Sequence, residues 1–198
     1  LLHDLNRREK MAANKVLFGM KNLHVGTFTE ENGVVTMGIP YHQPGSVGFQ
    51  PSPGDNSNDF YADDIIYWSG YSGEAFSGDL EVAMFSDEFK TQFLGYRKLS
   101  NGGLAAVKSG NRPNVYISFE IDGDEEKRRV IFYNCSLGSI TRNYATKGEN
   151  VEPATETIPV TVNGDNVTGV TKATFRPTDA GYETLFTEPI APAFASEG

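Results

Sequence analysis

Three histidines, His3, His24 and His42, are the residues best suited to binding a metal or moving a proton. None has a second ligand at the short spacing by which a loop or helix turn holds zinc, so no zinc site is expected. Ser72 lies in "SGYSG", which lacks the Gly-x-Ser-x-Gly spacing of a nucleophile elbow and reads as a glycine-bent strand or turn. Asp122, Asp124 and Glu125 have calcium-binding chemistry but not the twelve-residue loop and terminal Glu of a calcium hand, so a solvated hairpin tip is expected. Asp63 and Asp64 could pair as glycosidase carboxylates. No third residue supports that role, and acids beside a strand entrance are commonly a solvated edge. Gly102-Gly103 has no Lys-Ser/Thr partner to make a phosphate loop. Cys135 is the only cysteine, so no internal disulfide can form; within an apolar run it reads as a small core residue. The expectation is a protein without catalytic residues, metal or cofactor.

The elements around these residues belong to a chain of 198 residues with a net charge of −9. That length suits one large β domain, or one domain with arms. Acidic balance argues against tight nucleic-acid binding, which needs clustered Lys and Arg, but allows a surface that DNA slides past. No stretch approaches the roughly 20 apolar residues of a membrane span. The start is polar and charged, without the apolar region of a signal peptide, so a cytosol, or something assembled in one, is the expected compartment. Residues 1–10, LLHDLNRREK, differ from the rest. Met11-Ala-Ala-Asn-Lys resembles a bacterial or viral protein start, with Arg7-Arg8-Glu9 as a ribosome-binding site read as protein. The other reading is a short amphipathic arm with Leu2 and Leu5, joined by Leu1, on one side. The expected organisation is an extension over 1–10, a β domain over 11–186 and an arm over 187–198.

Most of the chain reads as strands and turns. Leu23 to Phe28 alternates, Glu31-Asn32-Gly33 turns, and Val34 to Met37 returns. "QPSPGDNSN", Gln50 to Asn58, is rich in Pro, Gly, Asn and Ser, so a protruding loop is expected. Ile65 to Tyr71 is aromatic and β-branched, a candidate for a well-buried strand. Leu80, Val82 and Met84 alternate with Asp79 and Glu81 in a half-buried strand that runs into a helix. Val115 to Ile121 and Lys127 to Leu137 form the clearest hairpin, across Asp122-Gly123-Asp124. Leu104 to Val107, Ile158 to Val162 and Lys172 to Arg176 are further strands. The tail after Pro177 reads as an extended arm.

One segment is helical. Phe89, Phe93 and Leu94 share one face, Ser86 is a suitable N-cap, Asp87 and Glu88 complement the dipole, and Gly95 can close the C-terminus. Two to three turns are marginal alone, so Phe89, Phe93 and Leu94 are expected to pack against the sheet.

"NKVLFGMKNLHVGTF", "FYADDIIYWSGYSGE", "SDEFKTQFLGY", "RRVIFYNCSL" and "YATKGENVE", in this order, resemble the major tail proteins of long, non-contractile phage tails. The resemblance runs from Met11 to about Phe186. It implies a mainly β fold, a β-sandwich or barrel-like core flanked by one helix, with an extended loop and terminal arms. It also implies a structural virion protein without enzymatic activity. Six subunits would form a ring, and rings would stack into the tube through which DNA leaves the capsid. Partners would be further copies, the tape-measure protein and the tail-terminator and tail-tip proteins. The location would be the virion tail, assembled in the bacterial cytoplasm. The helix from Ser86 to Leu94 resembles the family's flanking helix. Pro51, Ser52, Pro53, Gly54, Asp55, Asn56, Ser57 and Asn58 would form the loop that bridges rings. An acidic lumen would let DNA pass without sticking, and Asp63, Asp64, Asp79 and Glu81 are the candidate lumen acids.

Two other readings stand beside this one. A carbohydrate-type β-sandwich binding module would use Tyr67, Trp68 and Tyr71 as an aromatic platform, although their continuous apolar strand favours a core role. A tube protein of a contractile tail or secretion machine would share the ring-forming logic.

Overall fold

In the computed structural model, residues 19–54, 56–62, 65–72, 75–144 and 154–195 are described. Residues 1–10, read above as an extension, lie outside them. The protein is mainly β, with one α-helix among the described residues. Strands β1 (Met20–Glu31) and β2 (Val34–Met37) form a hairpin across Asn32 and Gly33, whose φ angles are +52° and +76°. That left-handed pair is what a two-residue hairpin turn needs. Short strands β3 (Tyr41–His42), β4 (Ser46–Phe49) and β5 (Ser52–Pro53) follow. Next come β6 (Asn56–Ala62), β7 (Ile65–Ser72) and β8 (Phe76–Val82), which leads into helix α1 (Asp87–Phe93). A small hairpin of β9 (Arg97–Lys98) and β10 (Leu104–Ala105) precedes the long hairpin of β11 (Val115–Ile121) and β12 (Arg129–Leu137). Strands β13 (Thr141–Arg142), β14 (Glu156–Val162) and β15 (Lys172–Phe175) complete the set, before a 3-10 turn at Thr184–Phe186.

Among the described residues, eleven strands make one antiparallel sheet, in the order β2-β1-β11-β12-β14-β8-β4 along its main path. Residues 41–49 bridge its distant parts. Tyr41 and His42 pair with Val25 and His24 of β1, while Ser46, Gly48 and Phe49 pair with Val82, Glu81 and Leu80 of β8. One short segment therefore closes the sheet into a barrel-like shape around an apolar interior. Leu23, Val25, Leu80, Val82, Ile117, Phe132, Ile158 and Val160 are buried there.

Asparagine sets the phase of two strands. Asn22 and Asn134 have φ of +54° and +50°, at register breaks in β1 and β12. Each break adds a residue and flips the alternation. Val130 and Phe132 therefore face the interior, but so do Cys135 and Leu137. The Asn134 amide donates to the Gly164 carbonyl and its oxygen accepts from Asn114, both at 2.7 Å.

The helix packs on the interior as expected. The Ser86 hydroxyl accepts the Phe89 N–H at 3.0 Å and lies 2.6 Å from the Tyr41 hydroxyl. Phe85, Phe89, Phe93 and Leu94 are buried, with ring centroids 4.7 Å apart for Phe85–Phe89 and 5.1 Å for Phe89–Phe93. Burial of one such ring is worth about 1.5–3 kcal/mol. The cap adds about 1 kcal/mol, so packing dominates. Gly95 ends the helix with φ +69°, and a side chain there would meet Gly110 at 2.9 Å.

The end of the domain differs from the expected extended arm. Phe28, Tyr116, Ile131 and Tyr133 form a second apolar cluster on the outer face of the sheet, covered by Leu185 with Phe175 and Phe186 packed around it. Tyr182 is also buried; its hydroxyl donates to the Lys127 carbonyl at 2.8 Å. The side chains of Tyr182, Leu185 and Phe186 pack this irregular segment against the sheet. The strand expected to reach Met84 ends at Val82, and Met84 is exposed.

Candidate assembly surface

Alternation gives β8 two unlike sides. Phe76, Leu80 and Val82 point inward, and Ser77, Asp79 and Glu81 point outward. Register then sets Thr161, Pro159 and Thr157 of β14 opposite these three. The outer face of the strand pair is two columns of hydroxyls, one proline and two carboxylates. Neither strand carries a Lys or Arg. The Glu81 carboxylate accepts the Thr155 hydroxyl. Beside this face the chain crosses closely at Gly78: an added Cβ would collide with the Gln50 carbonyl oxygen. Only glycine allows that approach.

The segment expected to be a free loop, Pro51 to Asn58, is largely paired. Ser52 and Pro53 lie opposite Ser77 and Phe76, and the Gly54 N–H donates to the Ala75 carbonyl at 2.6 Å. Asn56, Ser57 and Asn58 begin β6, opposite Ser72, Tyr71 and Gly70 of β7. The polar composition suggests a turn, but backbone groups pair whatever the side chains, and Pro53 is tolerated because β5 is an edge strand. The segment is thus the root of a β-hairpin. Among the described residues, β6 and β7 pair only with each other, so the candidate buried strand of residues 65–71 is not part of the main sheet. Asp55, Asp63 and Asp64 lie outside the described residues. Of the four candidate lumen acids, Asp79 and Glu81 share the outer face of β8.

Other titratable groups have structural surroundings. The β1–β3 pairing brings His24 and His42 to a ring separation of 5.0 Å, which their distance in sequence does not suggest. His24 stacks on Phe186 at 4.5 Å, and burial, with His42 and Arg129 nearby, lowers its pKa. Among the described residues no third ligand joins them into a metal-binding group.

Asp124 corrects the reading of a solvated hairpin tip. It is buried and accepts two bonds from the Arg128 guanidinium, at 2.6 and 3.0 Å. Those bonds hold its pKa down to about 2, against the opposing effect of burial. Glu156, which the sequence reading missed, is a second buried carboxylate. It accepts the Phe85 N–H at 2.7 Å, and Lys90 and Arg142 each lie 3.5 Å away. Counting back two from Ile158 puts it on the inward side, which was the available signal. Cys135 is buried as expected, and burial raises the pKa of its thiol.

No family model matches this chain, and no curated protein matches it. Among solved structures it is similar to the sheath/tube terminator of an extracellular contractile injection system, in the extended state, at 11% identity and a TM-score of 0.41. That match covers 82% of this chain and 99% of the other. It is also similar to the tube-terminating cap of the anti-feeding prophage, at 10% identity and a TM-score of 0.39, covering 81% of this chain and 93% of that one.

Proposed function

We propose that this chain is a structural subunit of a phage tail tube: six copies form a ring, and stacked rings enclose the channel that conducts DNA. The observation that carries this reading is the outer face of β8 and β14, where Ser77, Thr157, Thr161 and Pro159 surround Asp79 and Glu81 without a cation on either strand. Such a wall offers phosphates no ion pair. Its carboxylates repel them within a screening length of about 8 Å at physiological salt. DNA in contact with it moves without being held. The order of sequence motifs supports the same role. In this reading the β6–β7 hairpin, rather than a free loop, reaches the neighbouring ring. The partners are further copies together with the tape-measure, terminator and tip proteins. The particle is a virion tail assembled in the host cytoplasm, and the chain has no enzymatic activity of its own.

Negative-stain microscopy of the purified protein over a range of concentrations tests this reading. Rings with a central channel, stacking into tubes as concentration rises, are the expected result. A chain that stays monomeric at every concentration, and is left out of tubes grown from a tail-tip seed, would overturn it.

A further inference from the structure

Glu156 opens β14 between two strands, with Val82 of β8 opposite it on one edge and Arg142 of β13 on the other. Its side chain is 4% exposed, and its Oε2 takes a short bond, 2.7 Å, from the Phe85 N–H. Helix α1 brings Lys90 to the same carboxylate. Two cations therefore share one anion, in a chain whose net charge is −9. Neither cation is held closely. Lys90 Nζ lies 3.5 Å from Oε2 and Arg142 Nη1 lies 3.5 Å from Oε1. A charge-assisted N–H···O bond closes to about 2.7–2.9 Å.

The three side chains line a cavity of about 450 Å³, together with Tyr96, Thr141 and Tyr144. Access is graded. The Lys90 side chain, at the inner end, is 14% exposed; that of Arg142 is 37% exposed, with its guanidinium 5.4 Å from the ring of exposed Tyr144. Among the described residues no carboxylate other than Glu156 lies within 4 Å of either cation. Glu156 balances one positive charge and leaves the second without a counterion. A metal ion would meet two cations here, and a neutral ligand would leave the surplus charge in place.

We infer that this cavity binds a small oxyanion, a phosphate or a carboxylate, which bridges Arg142 of β13 and Lys90 of α1. The guanidinium carries five N–H donors in a planar fork, and only one nitrogen is turned to Glu156, so a pair of donors remains for two oxygens of one ligand. The Lys90 ammonium supplies a point charge deeper in the cavity, where partial burial weakens screening by water. A halide is a single acceptor atom and cannot match the fork in the same way. The Glu156 carboxylate opposes the incoming charge, but the two cations outnumber it. The inference draws nothing from the tube reading.

Equilibrium dialysis tests this, because it reads ligand per chain whether the protein is dispersed or assembled. Radiolabelled inorganic phosphate and radiolabelled acetate are dialysed separately, in sodium chloride at a fixed ionic strength of about 0.15 M. The two arms tell a phosphate site from a carboxylate site. Saturable uptake of at least one of them, approaching one per chain, is the expected result. Arg142→Gln and Lys90→Gln, each checked for folding by circular dichroism, should each weaken it at least roughly tenfold, the loss of one charge-assisted hydrogen bond. Lys98→Gln removes an exposed cation that does not line the cavity, and should leave uptake at the wild-type level. If one cavity variant fails to fold, the other decides. Uptake of neither anion by wild type would overturn the proposal. So would wild-type affinity in a folded cavity variant, or an equal loss in Lys98→Gln, which would make the effect one of overall charge. Binding by a chain that never forms rings would leave this site standing and remove only the tube reading.

Discussion

The two apolar faces of the sheet are covered by different means. Inside, Leu80, Val82, Ile158 and Val160 meet a capped helix whose Phe89 and Phe93 are buried. Outside, Phe28, Tyr116, Ile131 and Tyr133 meet an irregular segment with a single 3-10 turn. The inner cover makes its own backbone hydrogen bonds and adds three stacked or tilted rings. The outer cover depends on a few handles: Leu185, the Tyr182 hydroxyl, and the Arg129 guanidinium, which lies 3.9 Å from the Tyr182 ring and 4.4 Å from that of Phe186. A cover with few handles opens locally at lower free energy than one tied into a cooperative core.

The largest effect should come from the inner cover. Phe93→Ala should cost about 3–5 kcal/mol, because the closed sheet cannot collapse into the cavity. Denaturant unfolding measures it, and an unchanged midpoint would show that the helix is not integral to the core. Leu185→Ala should cost less, about 2–3 kcal/mol, since the irregular segment can settle toward the gap. Its sharper signature is hydrogen exchange: amides of residues 182–188 should lose protection while those of α1 keep theirs. Equal loss in both would mean that the two covers unfold as one unit.

The smallest effect is a pH dependence confined to the outer cover. The pKa of His24 is lowered chiefly by burial, with His42 and Arg129 nearby adding to the effect. Below its ordinary value near 6.5 the unfolded chain takes up a proton that the folded chain resists. Stability should therefore fall as pH drops from about 6.5 toward the lowered folded pKa, and the loss should be absent in His24→Asn. Asp124 titrates in a separate, lower window, between about 4 and about 2, where protonation removes its bonds to Arg128. A His24→Asn profile identical to wild type above pH 5 would sink the assignment to the outer cover.

The same contrast explains what could be read from sequence. The inner face was legible because period-two alternation marks Leu80, Val82, Ile158 and Val160, and because Ser86, Phe89, Phe93 and Gly95 sit at helical positions. The outer cover was not, because Tyr182, Leu185 and Phe186 follow no repeat and the sheet residues they cover, Phe28, Tyr116, Ile131 and Tyr133, lie more than 45 residues earlier in the chain. Asn134 was hidden for another reason: a left-handed bulge leaves no mark in composition, yet it reverses which side of β12 faces inward. The strand candidate of residues 65–71 was right in type. Its partner was not legible, since an apolar run says that a strand forms but not which sheet it joins. Of the candidate site, alternation alone placed Asp79 and Glu81 on one side of β8. The pairing of residues 52–53 and 56–58 came from backbone contacts to which their polar side chains are indifferent.

Cys135 has a practical consequence. It is the only cysteine, it is fully enclosed, and its enclosure disfavours the thiolate that reacts with maleimides. The native chain is therefore silent to thiol chemistry while folded. A cysteine introduced in place of exposed Asp79 or Lys98 would be the single reactive position per subunit. A fluorophore or spin label placed there would report distances between neighbouring copies in an assembled particle, without first deleting a native residue from the core.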